Sequence, residues 1–190
     1  MVQTEHHPLR PFLPPNAAIL FLGSFPPQKK RWCMDFFYPN FQNDMWRIWG
    51  LNMFADKDYF VIKEEKRFCY DKIVDFCTKY GFAFYDTASA VRRLQDNASD
   101  KFLEVVEETD IGALLARIPH CKAIVTTGEK ATDVLTGKYN CTKPQIGTSE
   151  TISIEGKTYD FYRMPSSSRA YPLVLTKKAE MYSALKKYVV

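Results

Sequence analysis

The sequence is poor in the groupings that metal and redox chemistry need. Its five cysteines, Cys33, Cys69, Cys77, Cys121 and Cys141, are scattered and odd in number, and no two form a CxxC pair. A structural zinc or an iron–sulfur cluster needs clustered thiolates, so neither is expected, and the five are read as reduced, mostly core thiols. Histidine is nearly missing. His6 and His7 lie in the N-terminal segment, and His120 has no partner at metal-ligand spacing, so no metal site is assigned. No apolar run approaches the ~18 residues of a membrane span. Residues 1–15 carry Glu5, His6, His7 and four prolines instead of an apolar signal stretch. They are expected to form a short extended arm on a cytoplasmic protein. The GxxxxGK[ST] spacing is absent, so Thr127 to Lys130 is no phosphate loop. There is no internal repeat, low-complexity tract or interdomain linker. An arm over residues 1–16 and a single domain over 17–190 follow.

A strong excess of either charge is also missing. The net charge is +4, which permits a polyanionic partner without requiring one. The paired cations Arg92 and Arg93, Lys177 and Lys178, and the run Lys29 to Arg31 read as solvated faces. Aromatics, by contrast, are plentiful at 15%. They suit either a core or platforms on which nucleobases stack, and composition alone does not choose.

What is present is an alternation of strands and helices. Ala17–Leu22 is a continuous apolar run ended by Gly23, as expected of a strand buried on both faces. Gly81–Asp86, Lys122–Thr127 and Tyr159–Met164 read likewise. Thr151–Ile154, with a tight turn at Glu155–Lys157, makes a hairpin into the last of these. Helical stripes fall at Tyr70, Ile73, Val74 and Cys77; at Ile111, Leu114, Leu115 and Ile118; and at Met181, Ala184, Leu185 and Tyr188, the last with Thr176 as a plausible N-cap. The pattern predicts a three-layer α/β/α sandwich around a mostly parallel four-stranded sheet. Ligands bind such sheets beyond the carboxyl ends of the strands, which directs attention to the loops starting at Gly23, Asp86, Gly128 and Pro165.

Two of those loops are distinctive. Gly23, Ser24, Phe25, Pro26 and Pro27 form a stiff turn in which glycine allows sharp turning and close approach to a ligand. An aromatic cluster, Phe36 to Tyr38, and Pro39 follow. Then comes Asn43, which can cap the helix that carries Trp46, Ile48 and Trp49. Far along the chain, Met164 to Ala170 reads as a Pro-Ser loop: Pro165, Ser166, Ser167, Ser168 and Arg169.

These two segments together resemble the motif loops of the uracil-DNA glycosylase superfamily, nearest to its hypoxanthine and mismatch-specific uracil branch. Tyr85 to Arg93 with Asp100 resembles the central loop of that superfamily, and Thr127 to Ala131 its third strand–helix junction. The resemblance runs from about Ala17 to Leu185. It implies a monofunctional DNA glycosylase that flips a deaminated base, uracil or hypoxanthine, out of DNA and hydrolyses its N-glycosidic bond. A DNA-binding module of the same fold with weak or absent chemistry is the alternative. Asn43 is implied to position the attacking water. Gly23, Ser24, Phe25, Pro26, Phe37 and Tyr38 would form the base pocket. Residues Pro165 to Arg169 would press on the DNA, with Arg169 and the serines on phosphates. No cofactor is implied, and a monomer is expected. The first loop lacks the aspartate of the uracil-specific branch, and Met164 stands where that branch has a histidine.

Overall fold

A computed structural model describes residues 3–95 and 100–189. The strands, in chain order, are β1 (Thr4–His6), β2 (Ile19–Gly23), β3 (Val61–Ile62), β4 (Arg67–Phe68), β5 (Phe82–Asp86), β6 (Ala88–Arg93), β7 (Leu103–Glu108), β8 (Ala123–Thr127), β9 (Thr148–Ile154) and β10 (Lys157–Met164). The α-helices are α1 (Met45–Phe54), α2 (Tyr70–Tyr80), α3 (Ile111–Ala116), α4 (Glu129–Tyr139) and α5 (Leu175–Tyr182). None is long and apolar enough to cross a membrane.

The central sheet has five strands in the order β5-β2-β8-β10-β9 rather than the expected four. Four are parallel, and β9 runs antiparallel along β10. The difference lies in the hairpin. The antiparallel ladder continues back to Thr148, so Thr148–Ile154 forms a full edge strand and not only a lead-in. Its two-residue turn has φ of 50° at Glu155 and 79° at Gly156, the left-handed pair that matches strand twist.

Period-two alternation sorts the sheet into two faces. Ile19, Phe21, Phe82, Phe84, Val125, Tyr162 and Met164 point to one side, where they meet Trp46, Ile48 and Trp49 of α1, Ile73 and Phe76 of α2, and Tyr182 of α5. Leu20, Leu22, Ala83, Ile124, Tyr159 and Phe161 point to the other, against Ile111, Leu114 and Leu115 of α3 and Leu135 of α4. Three layers result, one core rich in aromatic rings and the other mostly aliphatic. At about 25 cal/mol per Å² of apolar surface, these two cores are the main driving force for the fold.

A second, antiparallel sheet, in the order β1-β6-β7, lies outside these layers. The N-terminal segment contributes β1, paired with β6 through Thr4–Arg92, Glu5–Val91 and His6–Ala90. Farther along, Phe12 exchanges both backbone hydrogen bonds with Phe84, at 3.0 and 2.9 Å. That bridge covers part of the outer edge of β5, an edge that would otherwise expose unpaired backbone groups.

Two helix starts differ from expectation. Val174, not Thr176, occupies the N-cap of α5 and gives no side-chain cap. A cap must precede the first helical residue, and here the helix begins at Leu175. At α1, Asp44 occupies the cap position while Asn43 Oδ1 accepts the Met45 N–H at 2.9 Å from one residue farther out.

Candidate nucleic-acid site

Register brings the strand ends together. Gly23 is level with Asp86, Leu22 with Thr126, and Thr127 with Met164. The parallel strands therefore end on one rim, and the loops leaving them enclose a cleft of about 140 Å³. Its walls include Gly23, Ser24, Phe25, Pro26, Phe37, Tyr38, Asn43, Ser166, Ser167 and Ser168. Sequence reasoning had singled out all ten. Pro165 and Arg169 do not line it. The Pro165 carbonyl accepts the Tyr182 hydroxyl at 2.8 Å, in the core. Met164 is buried among the rings beneath the sheet rim, facing α1 and α5, and contributes nothing to the cleft.

The two distant loops are stitched to each other. Asn43 and Ser168 form an antiparallel bridge. Asp44 N–H donates to Ser167 O at 2.8 Å, and Arg169 N–H to Gln42 O at 3.3 Å. Beneath this ladder lies a charged cluster. Asp44 is buried, and its Oδ2 accepts from Lys178 Nζ at 3.1 Å while Oδ1 accepts from Arg169 Nε at 3.0 Å. Lys178 also donates to Ser168 O at 2.8 Å. Its side chain is 0% exposed, so Lys178 is no part of a solvated face, in contrast to the expectation for its pair with Lys177. The reason is geometric: α5 packs on α1, and only one residue of the pair can point inward. Arg47 completes the support. It donates to Phe41 O and Asn43 O at 3.0 and 3.2 Å and stacks over the Phe41 and Phe68 rings. Burial, more than the nearby positive charge of Arg169, pulls the pKa of Arg47 below its ordinary value.

The aromatic wall is equally fixed. Phe37 stacks near-parallel with Phe84 at 5.9 Å and meets Phe36 edge-on. Tyr38 holds a left-handed φ of 51°, uncommon for a non-glycine, and its hydroxyl pairs with Thr127 Oγ1 at 2.8 Å. Such a conformation at a cleft is a strained one that the surroundings must hold. Phe25 packs with Ala88, Val91 and Leu103. Arg93 lies over it, donates to Pro26 O at 2.6 Å and pairs with Glu5 of the arm. With 7% exposure, the Arg93 side chain is another cation read as solvated that is in fact enclosed, because β6 packs its inner face on the first loop.

Seven further lining residues were not assigned to the site from sequence: Pro27, Pro39, Asn40, Gln42, Asp86, Arg93 and Thr127. The rule that parallel strands present their carboxyl ends to ligands points at Asp86 and Thr127, since each ends a strand. Gly23 also serves differently from the sharp turn expected. Its φ is not left-handed, but a Cβ there would stand 2.5 Å from Asp86 Oδ1, so glycine is needed for close approach. The Asp100 side chain lies outside the described residues. Among those described, no group of three or more His, Cys, Asp or Glu side chains could hold a metal ion.

No family model and no curated protein matches the sequence. Solved structures do. One is the solution NMR structure of a candidate uracil DNA glycosylase from Methanosarcina acetivorans, with a TM-score of 0.65 over 96% of each chain at 19% identity. The chain thus shares, over nearly its whole length, the fold of that protein.

Proposed function

We propose that this protein is a monofunctional DNA glycosylase that removes a deaminated base, uracil or hypoxanthine, in the manner of the hypoxanthine and mismatch-specific branch. One observation carries the reading: the two motif loops meet as a ladder along a single aromatic-walled cleft, with Asn43 at their junction.

A base inside a duplex is out of reach, so it is flipped into the cleft at a cost of a few kcal/mol, least at mismatched pairs. There it stacks on Phe37 or Tyr38 while amides of the Ser24–Phe25 turn meet its carbonyl oxygens. The Pro-Ser loop presses into the gap. Ser166 Oγ accepts the Ser168 N–H and Ser168 Oγ accepts the Ala170 N–H, so each hydroxyl keeps its own proton to donate to a phosphate. Arg169 is 42% exposed and reaches the same strand. Bond cleavage leaves positive charge on the sugar and negative charge on the base. Asn43 directs a water toward C1′ through the amide nitrogen and the second lone pair of Oδ1. A monomer is the proposed working form.

The test is a panel of labelled duplexes containing uracil, hypoxanthine or a thymine mismatch, incubated and then treated with alkali. Lesion-dependent strand cleavage is expected, falling about 100-fold or more in Asn43→Ala. DNA binding without cleavage of any lesion would reject the enzyme. A second reading, a binding module without turnover, is favoured by one observation: Asn43 Oδ1 already accepts the Met45 N–H. Tight, salt-sensitive binding with no excision would establish it.

A further inference from the structure

The N-terminal arm and the first loop enclose a second cleft, of about 340 Å³, beside the first. Phe25, Pro26, Pro27 and Arg93 line both spaces, so the wall between them is one loop thick. The far wall is built by the arm. Thr4, Glu5 and His6 pair with β6, which lays them along the cleft. Arg93 ties the two walls together: its guanidinium donates to Pro26 O at 2.6 Å and to Glu5 at 3.1 Å.

The turn that follows the two prolines supplies an aromatic ring and cations. Lys29–Arg31 makes one 3₁₀ turn with no buried residue. Trp32 closes it, half-buried, and its Nε1 donates to Pro27 O at 2.7 Å, which fixes the ring at the border of the second cleft. Lys29 Nζ lies 4.0 Å from the centre of the indole ring and pairs with Asp35. The Lys29 side chain is 66% exposed and that of Asp35 77%, so the pair holds the lysine weakly and lets it yield to an arriving base or phosphate. Lys30 and Arg31 are exposed on the same turn. Around this cleft the cations Lys29, Lys30, Arg31 and Arg93 outnumber the carboxylates Glu5 and Asp35. Solvation alone accounts for the exposed cations, but not for a tryptophan clamped to the loop backbone at the border of a cleft. A ring flanked by cations is the composition of a site on which nucleobases stack.

We propose that the second cleft is a subsite for the nucleotide next to the flipped one, on the same DNA strand. Its base stacks on Trp32, and its phosphate meets the cations of the turn. Continuity decides for this occupant. Only the first loop separates the two spaces, and two nucleotides joined by one phosphate can place a base on each side of it. The subsite rests on the reading of the first cleft as the place where a nucleotide enters, and it adds a consequence. In a duplex a second base must also leave the stack, whereas in a single strand that cost is small. A two-base grip therefore favours a lesion in single-stranded or frayed DNA.

The chain has three tryptophans, and Trp46 and Trp49 are fully buried, so Trp32 is the one a ligand can quench by contact. The full chain carrying Asn43→Ala is titrated with a single-stranded pentanucleotide that has uracil at its centre. Its fluorescence should be quenched saturably. Trp32→Phe in the same background should abolish the quenching and change binding by less than about fivefold, since a ring remains to stack on. Replacing the base on one side of the uracil, 5′ or 3′, by an abasic sugar should weaken binding about 5- to 150-fold, the share of one stacked base. Trp32→Ala should lose a similar factor on the intact strand and nothing further on that abasic strand. Arg31→Gln should lower the salt slope of binding by about one. If Trp32→Ala does not fold, Trp32→Phe and the abasic strands carry the test. No quenching, quenching that survives Trp32→Phe, or binding indifferent to both neighbouring bases overturns the subsite, and excision by the wild type then leaves the glycosylase reading standing. Quenching through Trp32 with dependence on a neighbouring base, in a protein whose wild type excises nothing, upholds the subsite and rejects the glycosylase.

Discussion

Two aspartates are buried near the strand ends, Asp44 beneath the ladder between the loops and Asp86 on the cleft wall, and they are held in opposite ways. Asp44 is sealed under the ladder between the loops, with fully buried Lys178 on one oxygen and Arg169 on the other. Asp86 pairs with His7 through Oδ2 and lines the cleft, with Oδ1 beside Gly23. An ion pair enclosed on both sides is a poor reagent but a strong constraint, because loss of one partner strands a charge in a poor solvent. A carboxylate with one oxygen facing a ligand space is costly to keep and useful for recognition. The first therefore holds the loops, and the second lines the space between them.

The largest effect should come from breaking the sealed side. Lys178→Met should destabilise the protein by about 3 to 5 kcal/mol, lowering Tm by roughly 10 °C in a thermal melt. A drop under about 2 °C would show that Arg169 alone sustains Asp44. Adding Asp44→Asn to that variant removes the stranded charge, and a double-mutant cycle should return about 0.5 to 3 kcal/mol of coupling. Next comes the open side. Gly23→Ala drives a methyl into Asp86 Oδ1, at a cost of about 1 to 3 kcal/mol. Its signature should be altered base preference in the excision panel, beyond what lost stability explains. The smallest effect belongs to the exposed arm of the sealed cluster. Arg169→Gln should change stability by less than about 1 kcal/mol, since its guanidinium is half in solvent. It should still reduce the salt slope of DNA binding by about one, as measured by titrations at several ionic strengths. An unchanged slope would remove Arg169 from the phosphate contacts.

Much of this was legible in the residues. The four parallel strands, the stripes of α2 and α3, and ten of the cleft-lining residues followed from apolar runs, turn chemistry and the resemblance of the two loops. Other features were hidden for physical reasons. Lys177 and Lys178 are identical in sequence terms, and only the packing of α5 on α1 sends one inward. Arg93 reads as surface because nothing local reveals that β6 covers Phe25. The strand β7 (Leu103–Glu108) is rich in charge, and its burial pattern shows one inward residue followed mostly by exposed ones, so no periodic signal marks it. Met164 stands where the uracil-specific branch has a histidine, yet strand alternation turns its side chain into the aromatic core.

The sequence by itself determined the local elements of the central sheet: which apolar runs are its four parallel strands, and that stiff loops with aromatic residues and Asn43 follow them. Periodicity and turn propensity act over a few residues, so they can be read there. Only the tertiary structure decided the partners of the two aspartates. Asp44 meets Lys178 across 134 residues and Asp86 meets His7 across 79. Those pairings depend on the register of parallel strands and on where an arm of prolines is pinned, and neither leaves a periodic trace in the chain.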